Sequence, residues 1–325
     1  MPQNRDLQPV TLPMVLKFDQ EPKTEFINNL DALKIELVDS PTRQQAWNVA
    51  WHYVKATWAD QPDIDPNHGV TERELSKNLE DVLNGRTLPA PMECLGFTFR
   101  LSGLSFQDVT HIIRHRAGTF AAQCTGDRDL RDDAAVIPEP VENSPEFLAR
   151  WKRIVEDSKQ LYADMTDSRS VSMMDARLIL PKCMTSFYYM RLPLKDLLGF
   201  IYQRQDVAIQ TASDNILAVR MAAEVCKIIP ELTSVLNFDK PDMHFIKTFR
   251  VKSGDKWVSR GTNLYWPAKK NDIFEYHPDD TIYKSTREDL NGTHCEGSQK
   301  KFTQYWEECI NEINTIKILY DNWKK

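Results

Sequence analysis

The chain has 325 residues, of which 41% are hydrophobic and 27% are charged, and its formal net charge is −6 at pH 7. These values are typical of a globular protein with one large domain or two ordinary ones. The excess of negative charge argues against binding to long nucleic acid, which needs surplus cations, although a local basic cluster can still hold a small anion. The sequence contains no run of about eighteen apolar residues, so we expect no membrane span.

Targeting signals and cysteine spacing give the expected compartment. The N-terminus lacks a basic start followed by an apolar core, which argues against a secretory signal peptide. The six cysteines are scattered, without a Cys-x-x-Cys pair or the spacing of a zinc site. Reduced thiols in a cytoplasmic protein are the simplest interpretation, and we expect no bound metal.

Hydrophobic periodicity and cap signals predict the elements of the first third of the chain. Residues 1–22 are polar and punctuated by proline, so we expect an arm. Thr71 and Glu74 form a capping box ahead of leucines at helical spacing, and Gly85 follows, which predicts a helix over 71–84. The other predicted elements here are a strand at 32–38, a helix at 41–59, loops at 62–68 and 88–93, and a β-rich segment at 94–101.

The middle of the chain reads as mostly helical. Pro193 suits a first helical turn and opens a long predicted helix that ends near Pro230. Arg204 and Asp214 are polar interruptions of its apolar pattern. From about Leu236 the composition shifts toward Pro, Gly, Asp, Lys and aromatic residues. The remaining predicted elements are helices at 105–116, 145–165 and 175–180, a β-like piece at 244–251 and a closing helix at 302–323.

The stretch THIIRHRAGTFAAQCTGDR, at 110–128, is the most distinctive of the chain. Arg114, His115 and Arg116 stand at the end of the helix predicted there, and a loop with Gly, Thr and Gln follows. In such a helix, His111, Arg114 and His115 share a face. Guanidinium groups beside the free N–H groups of a loop form a site for phosphate or a similar anion. The alternative is a solvated basic helix end, because cations are favourable there.

In this order the elements resemble the flavin-dependent thymidylate synthases, over roughly residues 30 to 235. That family carries Arg-His-Arg, then a Ser-rich loop and an arginine. It also has a Pro-x-Glu-His element before a Phe-Thr-Phe strand, an Ala-Arg-x-x-Leu-Pro element, and a later arginine against the pyrimidine. The corresponding residues here are Arg114-His115-Arg116, then Thr119, Gln123, Thr125 and Arg128; Pro91-Met92-Glu93-Cys94 and Phe97-Thr98-Phe99; Ala176 to Pro181; and Arg204.

The resemblance implies an α/β (α+β) fold, with a small mixed sheet and several helices in a catalytic core and a C-terminal extension. The implied segments are an N-terminal arm at 1–22, a catalytic domain at 23–235 and the extension at 236–325. It further implies FAD as the cofactor, with NADPH and methylenetetrahydrofolate as co-substrates. The implied assembly is a homotetramer with active sites between subunits.

The same resemblance assigns roles to individual residues. Arg204 would be catalytic, because a fixed guanidinium stabilises negative charge developing on the pyrimidine ring. Arg177 would reach the nucleotide of a neighbouring subunit. The implied cofactor-binding residues are Glu93, Arg114, His115, Arg116 and Lys195, and the implied substrate-binding residues are His111, Arg114, Gln123, Thr125, Arg128, Arg177 and Arg204.

The chain departs from the family pattern mainly around the flavin. Leu88 and Cys94 replace family histidines, His111 replaces a helix glutamine, and Lys195 replaces an arginine. Lysine offers a point charge where arginine offers a fork, so that exchange alters the chemistry of the pocket.

The implied reaction is transfer of a one-carbon unit from methylenetetrahydrofolate to C5 of a pyrimidine nucleotide, with dUMP to dTMP as the main expectation. The departures leave open C5 hydroxymethylation, or methylation of dCMP or UMP. They also leave open a nucleotide-binding relative without flavin chemistry, and the third class is a structural protein with an accidental motif. Because the family forms no cysteine adduct, no cysteine is expected to act as a nucleophile.

Overall fold

The computed structural model describes residues 17–60, 65, 69–126, 128–205, 211–238 and 300–325, and the backbone of strand segments between 243 and 286. The helices within these ranges are α1 (Asn29–Ala32), α2 (Arg43–Trp58), α3 (Glu72–Leu83), α4 (Ala90–Cys94), α5 (Phe106–Ile112), α6 (Glu139–Glu142), α7 (Pro145–Asp167), α8 (Met173–Ala176), α9 (Leu194–Arg204), α10 (Ala212–Ile228) and a C-terminal helix (Lys300–Lys324). The strands are β1 (Phe26–Asn28), β2 (Lys34–Asp39), β3 (Gly96–Ser105), β4 (Thr119–Ala122), β5 (Ala135–Ile137), β6 (Thr185–Pro193), β7 (Met243–Ser253), β8 (Lys256–Trp266), β9 (Ile273–Phe274) and β10 (Ser285–Thr286).

A four-stranded sheet in the order β2-β3-β6-β4 positions the other elements, and every neighbouring pair in it is antiparallel. Strand β6, which pairs with both β3 and β4, lies in a stretch for which the sequence predicts no element. Among the described strands, parallel pairing occurs between β1 and β5, in a separate two-stranded sheet. The predicted α/β (α+β) class is confirmed, but this sheet is antiparallel and not mixed.

Alternation along the strands places the core on one face of this sheet. Phe97 and Phe99 on β3 are fully buried, as are Tyr188 and Met190 on β6, because successive side chains of a strand point to opposite faces. The apolar residues of α2, α3, α9 and α10 belong to the same hydrophobic cluster. None of the helices in the described ranges is long and apolar enough to cross a membrane.

Most predicted elements are found close to their expected places. Thr71 and Glu74 form the capping box of α3, and Gly85 takes the left-handed conformation at φ +69° just beyond it. The predicted loop at 62–68 lies outside the described residues except for Asp65. The other matches are 32–38 with β2, 41–59 with α2, 94–101 with β3, 145–165 with α7, 175–180 with α8 and the 3-10 turn Arg177–Ile179, 244–251 with β7, and 302–323 with the C-terminal helix.

Two predictions of backbone structure are wrong here. The loop expected at 88–93 contains α4, which has proline in its first turn. Proline is tolerated there because the N–H groups of a first turn have no partner within the helix. The single helix expected over 193–230 is two helices, α9 and α10, which pack against each other. The side-chain amide of Asn215 donates to the Arg204 carbonyl at 2.7 Å and so satisfies the end of α9, while Thr211 caps the start of α10.

The C-terminal helix packs on the same core. Its residues Cys309 and Ile313 are buried in the main hydrophobic cluster. The Arg43 guanidinium lies 4.5 Å from the ring centroids of both Trp47 on α2 and Trp323 on the C-terminal helix. Contacts therefore join this helix to the segment 23–235, whereas the domain boundary near residue 236 stays a prediction.

The described end of the predicted arm is also held against the body. Arg131 is fully buried and donates to the Gln20 carbonyl at 2.8 Å and to Asp167 at 2.8 Å. Lys17 pairs with Asp132. Residues 17–22 therefore cover a buried ion-pair group, and the boundary of the arm stays a prediction.

Candidate functional site

Arg114, His115 and Arg116, the RHR segment below, lie in a turn that follows α5. The helix ends at Ile112. The His115 N–H bonds the Ile112 carbonyl at 3.2 Å and the Gly118 N–H bonds the His115 carbonyl at 3.0 Å, and these tight turns lead the chain into β4. The prediction of a helix as far as residue 116 is therefore wrong. His111 and the RHR segment do not share a helical face.

The three side chains of the RHR segment have different surroundings. Arg114 and Arg116 are exposed, and within the described part of the chain neither forms an ion pair. The His115 ring is half-buried and packs edge-on against Phe200, with ring centroids 4.7 Å apart. Burial and the neighbouring Arg204 guanidinium lower the pKa of His115, so its imidazole is uncharged near neutral pH.

Arg204, at the end of α9, joins α9 to both α5 and α10. Its side chain is only 11% exposed. Nε donates to His115 Nε2 at 3.2 Å, Nη2 donates to the His111 carbonyl at 2.7 Å, and Nη1 donates to Asp214 Oδ2 at 3.4 Å. The structure thus brings the predicted catalytic arginine together with two predicted ligand-binding histidines.

Asp214 on α10, for which the sequence predicts no role, completes this cluster. Its carboxylate is fully buried, and Oδ2 also accepts from His111 Nδ1 at 3.2 Å. Among the described residues, Oδ1 has no hydrogen-bond partner. Burial and the nearby Asp108 carboxylate raise the pKa of Asp214 to about 6, against the opposite effects of Arg204 and His111. The sequence signal was a carboxylate three residues after Thr211, which also fits an ordinary helix cap.

Two more buried polar groups lie around this carboxylate. The Tyr188 hydroxyl on β6 has no hydrogen-bond partner among the described residues, and burial raises its pKa well above 10. Asp108 on α5 accepts from the Ser105 hydroxyl at 2.6 Å, and burial raises its pKa too. Each unpaired buried polar atom destabilises the fold by about 1–3 kcal/mol. Buried polar atoms are usually hydrogen-bonded, so two unpaired ones in the same cluster are consistent with a site for a ligand.

A second group of predicted residues gathers around Arg177. Its Nη1 donates to Thr125 Oγ1 at 2.7 Å. The loop approaches closely at Gly126, where a Cβ would lie 1.9 Å from the Met174 sulfur and 3.0 Å from Arg177 Nη1, so a larger residue would displace these side chains. Gln123 is exposed beside them in sequence, and its backbone N–H bonds the sheet at 2.9 Å. The structure therefore unites the loop after β4 with the turn after α8.

Arg128 forms a bidentate ion pair with Asp133, with Nη1 and Oδ1 2.5 Å apart. Its Nε is buried without a partner among the described residues. The guanidinium fork is thus occupied within the chain. The expected contact of Arg128 with nucleotide stays a prediction.

Glu93 and Lys195 form an exposed ion pair between α4 and the first turn of α9, with Nζ and Oε1 2.6 Å apart. Hydrogen bonding to Glu93 raises the pKa of Lys195. The sulfur of Cys94, next to Glu93, lies 2.9 Å from the Tyr53 hydroxyl. These contacts link the two predicted flavin-side residues that are farthest from the RHR segment in sequence.

Comparisons with known proteins identify the family of the chain. The sequence model of the family described as thymidylate synthase complementing protein (Thy1) matches residues 36–231. The flavin-dependent thymidylate synthase of Thermococcus onnurineus is 27% identical over 176 residues, which are 53% of this chain and 70% of that protein. The enzyme of the same name from Pyrococcus furiosus is 24% identical over 163 residues, 49% of this chain and 66% of that protein.

A solved structure shows the same fold. The UMP/dUMP methylase PolB from Streptomyces cacaoi, bound with 5-Br dUMP, superposes with a TM-score of 0.55 over 65% of this chain and 97% of that chain, at 18% identity. The alignments with the two curated relatives cover about two thirds of those proteins and half of this chain. The family match ends at residue 231, before the predicted extension. The resemblance inferred from the motifs is confirmed, and the chain belongs to the thymidylate synthase complementing protein family, whose curated relatives are flavin-dependent thymidylate synthases.

Proposed function

We propose that this protein transfers a one-carbon unit from methylenetetrahydrofolate to C5 of a pyrimidine nucleotide, with dUMP to dTMP as its reaction. Family membership supports an enzyme that modifies C5 of a pyrimidine nucleotide and implies FAD, with NADPH and methylenetetrahydrofolate as co-substrates. The structural neighbour PolB is a UMP/dUMP methylase, which supports a pyrimidine nucleotide as the substrate. The observation that carries the proposal is the cluster of Arg204 with His111 and His115, three residues far apart in sequence.

Arg204 supplies the charge that the chemistry needs. C5 of uracil is a weak nucleophile until negative charge develops on the ring, and a fixed guanidinium stabilises that charge. Burial removes most competing water from the Arg204 side chain, and its contacts with His115, His111 and Asp214 set its orientation before the substrate binds. A preorganised donor needs little rearrangement as the reaction proceeds.

The donor chemistry of the RHR segment fits FAD. Arg114 and Arg116 are exposed and lack carboxylate partners in the described part of the chain, so both can bind the pyrophosphate of a dinucleotide. We assign cofactor binding to these arginines, to His115 and to the Glu93–Lys195 pair. When bound and reduced by NADPH, the flavin would supply the hydride that reduces the transferred carbon. The residues of the chain orient the reactants and exclude water.

We assign the nucleotide to two groups of residues. His111, Arg114 and Arg204 belong to the RHR side. Gln123, Thr125 and Arg177 belong to the loop after β4, where the Arg177 contact with Thr125 holds a cation beside hydroxyl and amide groups. Arg128 is part of the same assignment, and its pair with Asp133 must open or be shared for it to bind phosphate.

We also propose a cytoplasmic homotetramer with active sites between subunits. Phe147, Ile154 and Leu161 recur every seven residues along α7, and they are 58%, 62% and 45% exposed. Leu178, beside Arg177, is 82% exposed. Exposed apolar groups concentrated in this way are typical of a protein interface. This surface lies next to the arginine that the resemblance directs toward a neighbouring subunit.

Flavin retention tests the proposed cofactor site. Protein reconstituted with FAD should keep a bound-flavin spectrum through gel filtration. Arg116→Ala should lose most of the flavin, and Arg73→Ala, which removes an exposed arginine from α3, should retain it. Wild-type protein that emerges colourless, or equal retention by both variants, would count against the assignment.

The same preparation tests the acceptor. Titration with dUMP, UMP and dCMP should show the tightest binding for dUMP. Tighter binding of UMP or dCMP would move the proposal to those nucleotides.

A further inference from the structure

Asp214 is the buried carboxylate at which α5, α9 and α10 meet. Its Oδ2 lies 3.4 Å from Arg204 Nη1 and 3.2 Å from His111 Nδ1. Its backbone N–H bonds the Thr211 hydroxyl at 3.2 Å, which fixes the start of α10. One oxygen atom therefore serves two cofactor- or substrate-side groups that come from different helices.

With Asp214 ionised, as its pKa of about 6 implies near neutral pH, the contacts assign the protons on both imidazole rings. A carboxylate only accepts, so His111 donates from Nδ1 to Asp214, and His111 Nε2 accepts from the Gln107 amide at 3.1 Å. Arginine only donates, so His115 Nε2 is unprotonated where it receives Arg204 Nε.

We propose that Asp214 is a positioning residue, whose carboxylate holds the Arg204 guanidinium and the His111 imidazole in the orientation that the pyrimidine requires. The inference rests on the proposed function. Without this anion, the Arg204 guanidinium loses a buried carboxylate that lies 3.4 Å from its Nη1. The His111 carbonyl and the uncharged His115 imidazole accept hydrogen bonds from Arg204, but neither carries the negative charge that stabilises a buried cation.

The charge on Asp214 gives the proposal a distinct pH signature. The groups that face it are Asp108 and His111 from α5, Arg204 from α9 and Tyr188 from β6. Burial and Asp108 raise the pKa of Asp214 to about 6, so the carboxylate loses its charge, and its hold on both partners, as the pH falls through that value.

The contribution of Asp214 to folding stability changes with pH in the direction opposite to its hold on Arg204 and His111. The folded pKa of about 6 lies above the ordinary value of 3.8, so the folded state binds more protons than the unfolded state between those values. The stability that Asp214 contributes is therefore fully present below about pH 3.8 and is lost as the pH rises through about 6. An ion pair that forms at the expense of folding stability is typical of a functional site.

Nitrogen-15 spectra of the imidazole rings test the positioning role without any catalysis. Full-length protein would be labelled in histidine, and the His111 signals would be assigned with His111→Gln. We expect wild-type His111 to carry its proton on Nδ1 at neutral pH. In Asp214→Asn this preference should weaken, whereas Glu224→Gln, a charge removed from the same helix, should leave the spectrum unchanged.

Single-turnover oxidation of bound, reduced flavin in the presence of dUMP and methylenetetrahydrofolate tests the consequence. Asp214→Asn should be slower by about a hundredfold, as for a misplaced catalytic group. The wild-type rate should fall on acidification near pH 6. The pH–rate profile of Asp214→Asn should lack this decrease. Glu224→Gln should follow the wild-type profile.

The outcomes separate the two proposals. A wild-type His111 protonated on Nε2 would overturn the positioning role, and this result needs no folded variant. An unchanged rate and pH profile in Asp214→Asn would overturn it as well. The wild type could fail to use any pyrimidine nucleotide while the Asp214→Asn substitution still changes the His111 signals as expected. In that case the proposed reaction is wrong, and the positioning of His111 by Asp214 is supported.

Discussion

Burial of Arg204 changes how much this arginine contributes to stability. An exposed arginine contributes well under about 1 kcal/mol to stability. Arg204 is 11% exposed and faces a fully buried Asp214, and removing one partner of such a pair costs about 3–5 kcal/mol. Its replacement should therefore affect both folding and catalysis, and the two effects must be measured separately.

We predict that Arg204→Ala slows dUMP-dependent flavin oxidation by about a hundred- to a thousandfold, the usual effect of losing one preorganised donor. Nucleotide affinity should fall as well, and FAD content should stay close to wild type because the proposed flavin contacts come from the RHR segment and the Glu93–Lys195 pair. Arg204→Lys should recover only part of the rate, since one ammonium group cannot reproduce the fork. The measurement is single-turnover kinetics on protein whose folded fraction is checked by thermal unfolding. Near-normal turnover in Arg204→Ala would place the pyrimidine elsewhere.

The cysteines give a prediction of the opposite kind. Cys226 is buried, and burial raises the pKa of its thiol to about 12, so it is chemically inert. Cys94 and Cys124 are exposed. Replacing either of these two with serine should leave turnover within about tenfold, or roughly 1.4 kcal/mol of barrier. A loss of more than about a thousandfold at Cys124, in folded protein, would indicate a nucleophile.

At the scale of elements, local signals predicted the caps and missed the breaks. The capping box of α3 is a short pattern and appears in the structure as expected. The end of α9 depends on Asn215, which bonds the Arg204 carbonyl from a separate helix. No window of sequence shows such a contact, so α9 and α10 looked continuous. Strand β6 was missed between Pro181 and Pro193 because its identity rests on pairing with β3 and β4.

The same reasoning explains which site residues were found. The motifs named Arg177 and Thr125 separately, and the structure joins them by a hydrogen bond. Asp214 and Tyr188 were not predicted, because an aspartate on a helix and a tyrosine on a strand become unusual only when both are buried beside Arg204. The sequence therefore identified the cationic groups, and the fold identified the anion that holds them.

At the scale of elements, we predict that the C-terminal helix stabilises the core. Glu231 is fully buried and accepts from Arg43, from Trp47 Nε1 at 2.8 Å and from the Ser76 hydroxyl at 2.6 Å. The Ser76 hydroxyl also lies 2.8 Å from that of Tyr320 on the C-terminal helix. Removal of this helix should expose apolar core and lower the melting temperature, measured by calorimetry. A synthetic peptide of residues 300–325 should restore part of the loss. An unchanged melting temperature would mean that the whole segment after residue 236 is a separate addition.

For the whole molecule, we predict that the exposed apolar groups near Arg177 lie between subunits. Leu178→Asp should shift the protein from tetramer to smaller species in sedimentation velocity, because it places a charge in an apolar contact. Leu319→Asp, at a 65% exposed leucine of the C-terminal helix, is the matched control and should leave the assembly intact. Identical behaviour of both variants would contradict this position of the interface.

Mixed assemblies test whether one site takes residues from two subunits. Arg177→Ala and Arg204→Ala chains, refolded together, should regain a fraction of wild-type turnover, because some sites receive both intact arginines from different chains. Sites built within one chain would give no recovery. The control is each variant refolded alone under the same conditions.

The most direct measurement is product analysis after a single turnover. Wild-type protein with reduced FAD, methylenetetrahydrofolate and dUMP would be quenched, and the nucleotide identified by mass spectrometry. We expect dTMP to form in step with flavin oxidation, and Arg204→Ala to leave dUMP almost unchanged over the same time. Recovery of unmodified dUMP from wild-type protein that has bound both FAD and dUMP would contradict the proposed reaction.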